Sequence, residues 1–441
     1  MRDSPVMTRI LIVGGGYTGL YTALRLEKKL RKAEADITLV SAESFMTYQP
    51  FLPEAASGSI EPRHVVVPLR SVLRRTRVVA GRLTALDHDS RIATVRPRDG
   101  DAYELSYNLV VIGLGSVSRV LPVPGLAETA IGFKTVAEAI HLRNRVLERM
   151  DAAESLQDPD LRRRALTFTF VGGGYAGVEA LAELEDLARD ASRHYARIDR
   201  DDMRWILIEA TDRILPEIGG GLDVYALEVL ARRGIEIHLG TRLDSAEHGR
   251  MRLSDGTEFE SDTLVWTTGV RPHPLVEQLG FPIDDKGRVI TDRFLRVEGI
   301  PEAWAAGDCA AVPDVTTGGM SPSTAQHALR QARVLADNVT ASLRGAPLSQ
   351  FAYRNLGGIV SLGRHRGVAR VLRFRLRGFP AWWLHRTYHL SRIPTLNRKI
   401  RIAMDWTVAL FFRRDVVQLG SLQRPRDPFA EAVEDAADRD R

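Results

Sequence analysis

Two stretches of the chain share one pattern of apolar and polar positions. Ile10-Leu11-Ile12-Val13 is an unbroken apolar run that ends in Gly14-Gly15-Gly16-Tyr17-Thr18-Gly19 and then takes on a helical period. About 160 residues later, Phe168-Thr169-Phe170-Val171 ends in Gly172-Gly173-Gly174-Tyr175-Ala176-Gly177 in the same way. Each pattern predicts a buried strand, a tight G-x-G-x-x-G turn and a helix, followed by a second strand at Ile37-Thr38-Leu39-Val40 and at Trp205-Ile206-Leu207-Ile208. Alternation near 78–112 predicts an antiparallel excursion closing at Leu109-Val110-Val111-Ile112-Gly113, and Ser254-Asp255-Gly256-Thr257 reads as a hairpin turn. Residues 136–150 and roughly 322–343 have a helical period. Tyr48-Gln49-Pro50-Phe51-Leu52-Pro53 reads as a loop, and Asp151 to Arg164 as a charged surface connection.

The order of these pieces predicts an α/β chain whose second unit is inserted into the first. The expected boundaries are 1–118 with 290–350 for the first unit, 119–289 for the second, 351–426 for a C-terminal region and 427–441 for a tail. A glycine turn of this kind brings backbone N–H groups and a helix N-terminus up to a pyrophosphate. Two of them imply two dinucleotides. That points to a flavin and a nicotinamide held where electrons pass between them.

Composition narrows the chemistry. The single cysteine, Cys309, excludes an internal disulfide and any Cys-x-x-Cys redox pair, and reads as a small buried apolar residue. The eleven histidines show no metal-ligand spacing, so no metal is expected. No apolar run approaches the length of a membrane span, and the start of the chain lacks a signal-peptide core. Charge is uneven. Residues 351–426 carry sixteen Lys or Arg against two acids, interleaved with Phe374, Phe379, Trp382, Trp383, Tyr388, Trp406, Phe411 and Phe412. The last fifteen residues carry six acids against two bases. The basic block admits a solvated face above an ordinary core, or an element lying on an anionic membrane surface. No nucleic-acid module is recognisable in it, so nucleic acid is not expected as a partner.

Particular residues follow. Gly14, Gly16 and Gly19 are expected at the first pyrophosphate, and Gly172, Gly174 and Gly177 at the second. Glu209, directly after the second strand of the second unit, is placed to accept both ribose hydroxyls and repel a 2′-phosphate, which favours NADH over NADPH, with Arg213 close by. The first unit has Ser41 at the equivalent position, and Glu43 two residues on either reaches the ribose or is a solvated acid. Asp308, in Ala306-Gly307-Asp308-Cys309, resembles the aspartate that bonds the ribityl chain in flavoproteins with two dinucleotide domains. Glu179 is either an exposed acid favoured by the helix dipole or a group aimed at the flavin–nicotinamide junction.

The motifs together closely resemble those of the type II NADH dehydrogenases, single-subunit and non-proton-pumping NADH:quinone oxidoreductases. The resemblance covers nearly the whole chain. It includes the two glycine turns, Tyr48-Gln49-Pro50-Phe51-Leu52, Phe133-Lys134-Thr135, the extension Val178-Glu179, and Trp266-Thr267-Thr268-Gly269-Val270. It continues through Gly307-Asp308-Cys309, Ala325-Gln326-His327-Ala328-Leu329-Arg330-Gln331 and the stretch from Asn397-Arg398-Lys399 to Arg413-Arg414-Asp415.

The resemblance implies a glutathione-reductase-like pair of Rossmann-type domains holding noncovalent FAD and NADH, with a quinone as oxidant. It further implies a cofactor-binding set of Gly14, Gly16, Tyr17, Thr18, Gly19, Glu43, Gln49, Pro50, Gly113, Lys134, Gly172, Gly174, Tyr175, Ala176, Gly177, Glu209, Gly269, Gly307, Asp308 and Ala325. Glu179 is then expected near the nicotinamide, and Gln326, Arg330 and Gln331 at the quinone end of the flavin. The C-terminal region is expected to dock as a monotopic anchor on the cytoplasmic side of the cell membrane, at a homodimer interface. Its segment 397–412 carries Ile400, Ala403, Met404, Leu410 and Phe411 at helical spacing, with Arg398, Lys399, Arg401, Arg413 and Arg414 at the flanks.

The chain departs from the family at Arg330, where the first of two glutamines is usual, at Leu356, where a lysine is usual, and at Ser41. Rival readings are an NADH-dependent reductase of a soluble electron carrier or quinonoid metabolite, and a redox-sensing NADH-binding protein. Sulfide:quinone reductase chemistry needs more than one cysteine.

Overall fold

The computed structural model describes residues 7–353 and 357–418. Leu356, residues 419–426 of the basic block and the acidic tail 427–441 lie outside the described residues. The helices that carry the argument are α1 (Tyr17–Lys29), α2 (Val136–Ser155), α3 (Tyr175–Ala191), α4 (Ala325–Leu343), α5 (Phe379–Arg392) and α6 (Leu396–Phe411).

Two parallel sheets repeat one topology. In the first, strand Thr8–Val13 lies between Ala35–Ser41 and Leu109–Ile112, with Ala303–Ala305 on the far side of the latter. In the second, Thr167–Val171 lies between Arg204–Glu209 and Thr263–Trp266, flanked by Ile235–Leu239 and Ala130–Gly132. The central strands are buried along their length, which is why they read as apolar runs and not as alternating ones.

Three expectations about local structure need correcting. Arg77–Asp87 enters parallel to Ala35–Ser41 and then forms an antiparallel meander with Ile92–Pro97 and Tyr103–Ser106, but Leu109–Ile112 leaves the meander and runs parallel beside the first strand. Residues 151–164 are not a bare connection. Helix α2 runs through to Ser155 from a capping box of Thr135 and Glu138, and a second helix, Pro159–Ala165, starts at the Asp158 cap. Pro50 and Pro53 do not hold Tyr48–Pro53 open either. They occupy first-turn positions of a 3₁₀ turn, Gln49–Phe51, and a short helix, Leu52–Ala56, where a missing N–H costs nothing.

The C-terminal region is an antiparallel sheet of Gly357–Ser361, Gly367–Val371 and Phe374–Arg377, followed by α5 and α6. It is bound to the rest of the protein by charge. Glu54, on the short helix, is buried and accepts from Arg386 Nη2 at 2.8 Å and from Trp406 Nε1 at 2.9 Å. Glu179 and Glu183 lie one turn apart on α3, and both are buried. His385 Nε2 stands 3.2 Å from Glu179 Oε1, and Arg414 Nη2 stands 3.2 Å from Glu183 Oε2. Each of these three acids belongs to the two dinucleotide units, and each is met by a basic side chain from the C-terminal region. Arg414, expected at a membrane-facing flank, is therefore an interior residue, because burying Glu183 without a counter-charge is costly.

The opposite side of α6 has no cover among the described residues. Leu396, Ile400, Met404, Val408 and Phe411 follow one another at three- or four-residue steps, and all are exposed, as are Phe379, Trp383 and Phe412. No helix among the described residues is long and apolar enough to cross a membrane.

The buried pairing has a measurable consequence. Arg414→Met should lower stability by about 3 kcal/mol, because it strands a buried acid. Adding Glu183→Gln to that variant should recover more than half of the loss. Denaturant midpoints of the single and double variants measure this coupling, and equal midpoints for the two would show that the pair is independent.

Candidate functional site

The two glycine turns have matching geometry. Gly14 has φ +106° and Gly172 has φ +115°, the left-handed side of the map where a side chain is strained. A Cβ on Gly14 would stand 2.3 Å from the Gly113 carbonyl oxygen, and one on Gly172 would stand 2.6 Å from Thr267 Oγ1. A Cβ on Gly19 would meet the Gly14 oxygen at 1.8 Å, and one on Gly177 would meet the Gly172 oxygen at 2.0 Å. The middle residues, Gly16 and Gly174, are exposed and have nothing within 4 Å on the side where a Cβ would project. Both precede helices with no side-chain cap and no acid in the first turn. The first N–H groups of α1 and α3 are thus open to an anion, with Tyr17, Thr18, Tyr175 and Ala176 in those first turns. Two cradles of this shape fit the pyrophosphates of FAD and of NADH.

Glu209 ends its strand beside the second cradle. Its Oε2 accepts from the Gly173 N–H at 2.6 Å, and its Oε1 accepts from the Thr211 N–H at 2.8 Å. This pins the carboxylate at the turn. Arg213 is exposed and turned to Asp212 at 3.2 Å, so its charge is already matched. In the first unit Ser41 is buried against Gly15, while Glu43 is exposed.

The Gly307-Asp308 turn locks onto the first cradle. Thr18 Oγ1 donates to the Ala306 carbonyl at 3.3 Å, and a Cβ on Gly307 would collide with that hydroxyl. Asp308 Oδ2 accepts from Ser116 Oγ at 2.6 Å, and Ser116 Oγ in turn accepts from Lys134 Nζ at 2.7 Å. Burial lowers the Lys134 pKa, with Asp308 and Glu138 pulling it back. Gly269 closes the second sheet with φ +92° and open space around it. Cys309 is fully buried, and its thiol is pushed up to about 11, which makes it inert.

At the start of α4, Thr324 caps the helix and Ala325 is its first residue. Gln326 Oε1 accepts from the Tyr353 hydroxyl at 3.0 Å, and Arg330 lies 4.5 Å over the Tyr353 ring. The structure joins Gln326 and Arg330 in this way. Gln331 is separated from them, being buried with its Oε1 accepting from the Gly307 N–H at 2.8 Å. It braces the Asp308 turn and faces no open space, as its position on the inner side of α4 requires.

Glu179 does not sit exposed at the helix start. It is buried, with Oε1 accepting from the Ser361 N–H at 2.9 Å besides its contact with His385. Sequence reasoning missed Glu54, Glu183, His385, Arg386 and the interior role of Arg414. A signal was present. Glu179, Glu183, Asp186 and Asp190 recur at helical spacing on an otherwise apolar helix, a stripe that needs cations from elsewhere in the chain.

Residues 8–332 match the model of the family described as pyridine nucleotide-disulphide oxidoreductase. Over 428 residues the chain is 32% identical to the type II NADH:quinone oxidoreductase Ndh of Mycobacterium tuberculosis, covering 93% of this chain and 89% of that one. It is 30% identical to a probable NADH dehydrogenase of Dictyostelium discoideum, covering 92% and 90%. The solved structure of NDH2 from Plasmodium falciparum in complex with NADH shares the fold, with a TM-score of 0.86 at 17% identity, over 93% of this chain and 99% of that one. With its paired cradles and its nearly full-length likeness to these relatives, the chain belongs to the pyridine nucleotide-disulphide oxidoreductase family and, within it, to the type II NADH:quinone oxidoreductases.

Proposed function

We propose that this protein oxidises NADH through a noncovalent FAD and delivers two electrons to a quinone at a membrane surface. The observation that carries the reading is the pair of uncapped glycine helices, with a side chain excluded at Gly14 and Gly19 as at Gly172 and Gly177, and open space at Gly16 as at Gly174. The first unit, 1–118 with 290–350, holds FAD, and the second, 119–289, holds NADH. Bound flavin supplies an acceptor for hydride and a donor of two electrons.

The side chains select and orient. The first turns of α1 and α3 hold the two pyrophosphates. Glu209 accepts from the adenosine ribose and repels a phosphate on it. Ser116, held by Lys134, orients Asp308 toward the ribityl chain. Gln326 and Arg330, fixed on Tyr353, border the acceptor side.

A lipid-soluble quinone stays in the bilayer, so the enzyme has to reach it. The apolar stripe of α6, with Trp383, Phe379 and Phe412 beside it, suits the acyl boundary, and Arg398, Lys399, Arg401 and Arg413 suit anionic headgroups. This favours a membrane quinone over a soluble carrier, which is recognised by charge more than by exposed aromatic side chains. A second copy covering the same stripe is the alternative.

Three outcomes are expected. The purified protein is yellow, and acid precipitation releases its FAD into the supernatant. A protein that stays colourless after incubation with FAD would refute the cofactor assignment. Glu209→Gln keeps an acceptor for the Gly173 N–H but loses the charge, and should narrow the NADH/NADPH ratio of kcat/KM by roughly tenfold. A wild type that already prefers NADPH contradicts the assignment. Ile400→Glu with Met404→Glu should abolish co-sedimentation with anionic vesicles while leaving reduction of a water-soluble dye intact. Point substitutions serve better here than truncation after Gln350, which would strand Glu54, Glu179 and Glu183. If the double variant still binds vesicles but becomes monomeric by sedimentation, the stripe is a dimer face.

A further inference from the structure

Helix α3 carries four acids beyond Glu179, and the arginines around them are in surplus. Glu183, Glu185, Asp186 and Asp190 occupy its second half. Arg414 stands 3.2 Å from Glu183 and 3.8 Å from Asp190. Arg233 pairs with Glu185 and stands 3.1 Å from Asp186. Arg189 pairs with Glu185 and stands 3.6 Å from Asp186, and Arg193 stands 3.5 Å from Asp190. Arg200 approaches Glu185 to 4.0 Å as well. The four acids therefore already have a full complement of positive charge. Arg364 and Arg366 come on top of it. The Arg364 guanidinium donates to the Ala409 carbonyl, and neither it nor the Arg366 guanidinium pairs with a carboxylate among the described residues.

The turn that carries these two arginines is fitted to the helix. It joins Gly357–Ser361 to Gly367–Val371 and closes with the Leu362 N–H on the Arg366 carbonyl at 2.9 Å and the Arg366 N–H on the Gly363 carbonyl at 3.2 Å. Gly363 has φ +88°, and a Cβ there would collide with the Asp186 carboxylate, so glycine is what brings the turn this close. The Arg364 N–H then donates to Asp186 Oδ2 at 2.6 Å. Beside this contact lies a pocket of about 190 Å³, with Asp186, Arg189, Asp190 and Arg193 on the helix side and Arg364, His365 and Arg366 on the turn side. That is far more than the roughly 15 Å³ a single water needs. The field in it is positive. Partial burial lowers the His365 pKa, and Arg364, Arg386 and Arg366 lower it further against the pull of Asp186.

We propose that this pocket binds the phosphate of an anionic phospholipid through Arg364 and Arg366, a reading that takes its lipid source from the membrane docking proposed above. Two guanidinium forks two residues apart suit the several oxygens of one phosphate, which accept in pairs. The rim decides between a lipid and a free phosphate ion. The His365 ring lies 4.8 Å from the Trp382 ring and 5.9 Å from that of Phe379, which is exposed. Arg364 Nη2 donates to the Ala409 carbonyl at 3.2 Å, next to the exposed Leu410 and Phe411. A cationic pocket bordered by exposed apolar side chains matches a molecule that is charged at one end and apolar at the other, whereas a free ion gains nothing from such a rim. The pocket also differs in kind from the flanks of α6. Arg398, Lys399, Arg401 and Arg413 are drawn to negative charge from any source, and the turn Gly363–Gly367 offers one enclosed place for one headgroup.

The test uses the full-length, FAD-loaded protein and a lipid that stays monomeric. Dihexanoyl phosphatidylglycerol, titrated below its micelle concentration and followed by calorimetry, should bind saturably at one site. Arg366→Gln and Arg364→Gln should each raise its Kd by about tenfold. Arg401→Gln removes the same charge from the flank of α6 and should stay within about twofold of wild type. FAD content and reduction of a water-soluble dye should be unchanged in Arg366→Gln, which decides the matter if Arg364→Gln loses FAD. Inorganic phosphate should compete, with a Kd at least tenfold weaker than that of the lipid. Phosphate that binds as tightly as the lipid would overturn the lipid source. Absence of saturable binding, or equal losses in all three variants, would overturn the pocket, and vesicle binding that persists in that case leaves the membrane docking standing. A wild type that takes the monomeric lipid but sediments with no anionic vesicle would instead overturn the docking.

Discussion

Three acids in the interior set the terms for the rest of this structure. Glu54, Glu179 and Glu183 come from the dinucleotide units, and none reaches bulk water. An ionised carboxylate in such a place needs a cation and donors around it. His385, Arg386 and Arg414 supply them from the C-terminal region, helped by Trp406, Ser57 and Ser361. The C-terminal region is thus not an appendage fastened to a finished enzyme. It completes the electrostatics of the other two units and at the same time turns its apolar side outward. One helix, α6, does both. Trp406 faces the acids, while Ile400, Met404 and Phe411 face away.

The cradles rest on a different constraint, close approach. Gly14 and Gly172 take a left-handed backbone, and Gly19 and Gly177 leave no space for a Cβ against the turn before them. The same exclusions recur at both turns. The neighbouring interlocks, Thr18 with Ala306 and Gln331 with Gly307, fix the Asp308 turn relative to the first cradle.

Much of this was legible in the residues. The twin turns with their strands and helices, the helical period of 397–412 and the place of Glu209 at the end of its strand all follow from local patterns, since glycine spacing and apolar periodicity act over a few residues. What escaped was long-range. Glu54 meets Arg386 across 332 positions of sequence, and Glu183 meets Arg414 across 231. Arg386 and Arg414 look, from neighbours alone, like their solvated counterparts Arg413 and Arg401. The contact of Gln331 with the Gly307 N–H escaped for a related reason, because a residue's side of a helix is decided by what packs there. The prolines at 50 and 53 were read as breakers because proline marks the start of a helix as readily as its absence.

The insertion of one unit within another has a consequence for biosynthesis. The second sheet, Ala130 to Trp266, is contiguous and can close once its own residues have left the ribosome. The first cannot. Its strand Leu109–Ile112 waits for Ala303–Ala305 to cover its outer edge, and an unpaired apolar edge is a site for wrong pairing. The acids wait longer still, because Arg386 and Arg414 follow every strand of both parallel sheets in the sequence. Until they arrive the nascent chain carries Glu54, Glu179 and Glu183 without their basic partners, so the order of synthesis keeps the interior unfinished until the C-terminal helices are present.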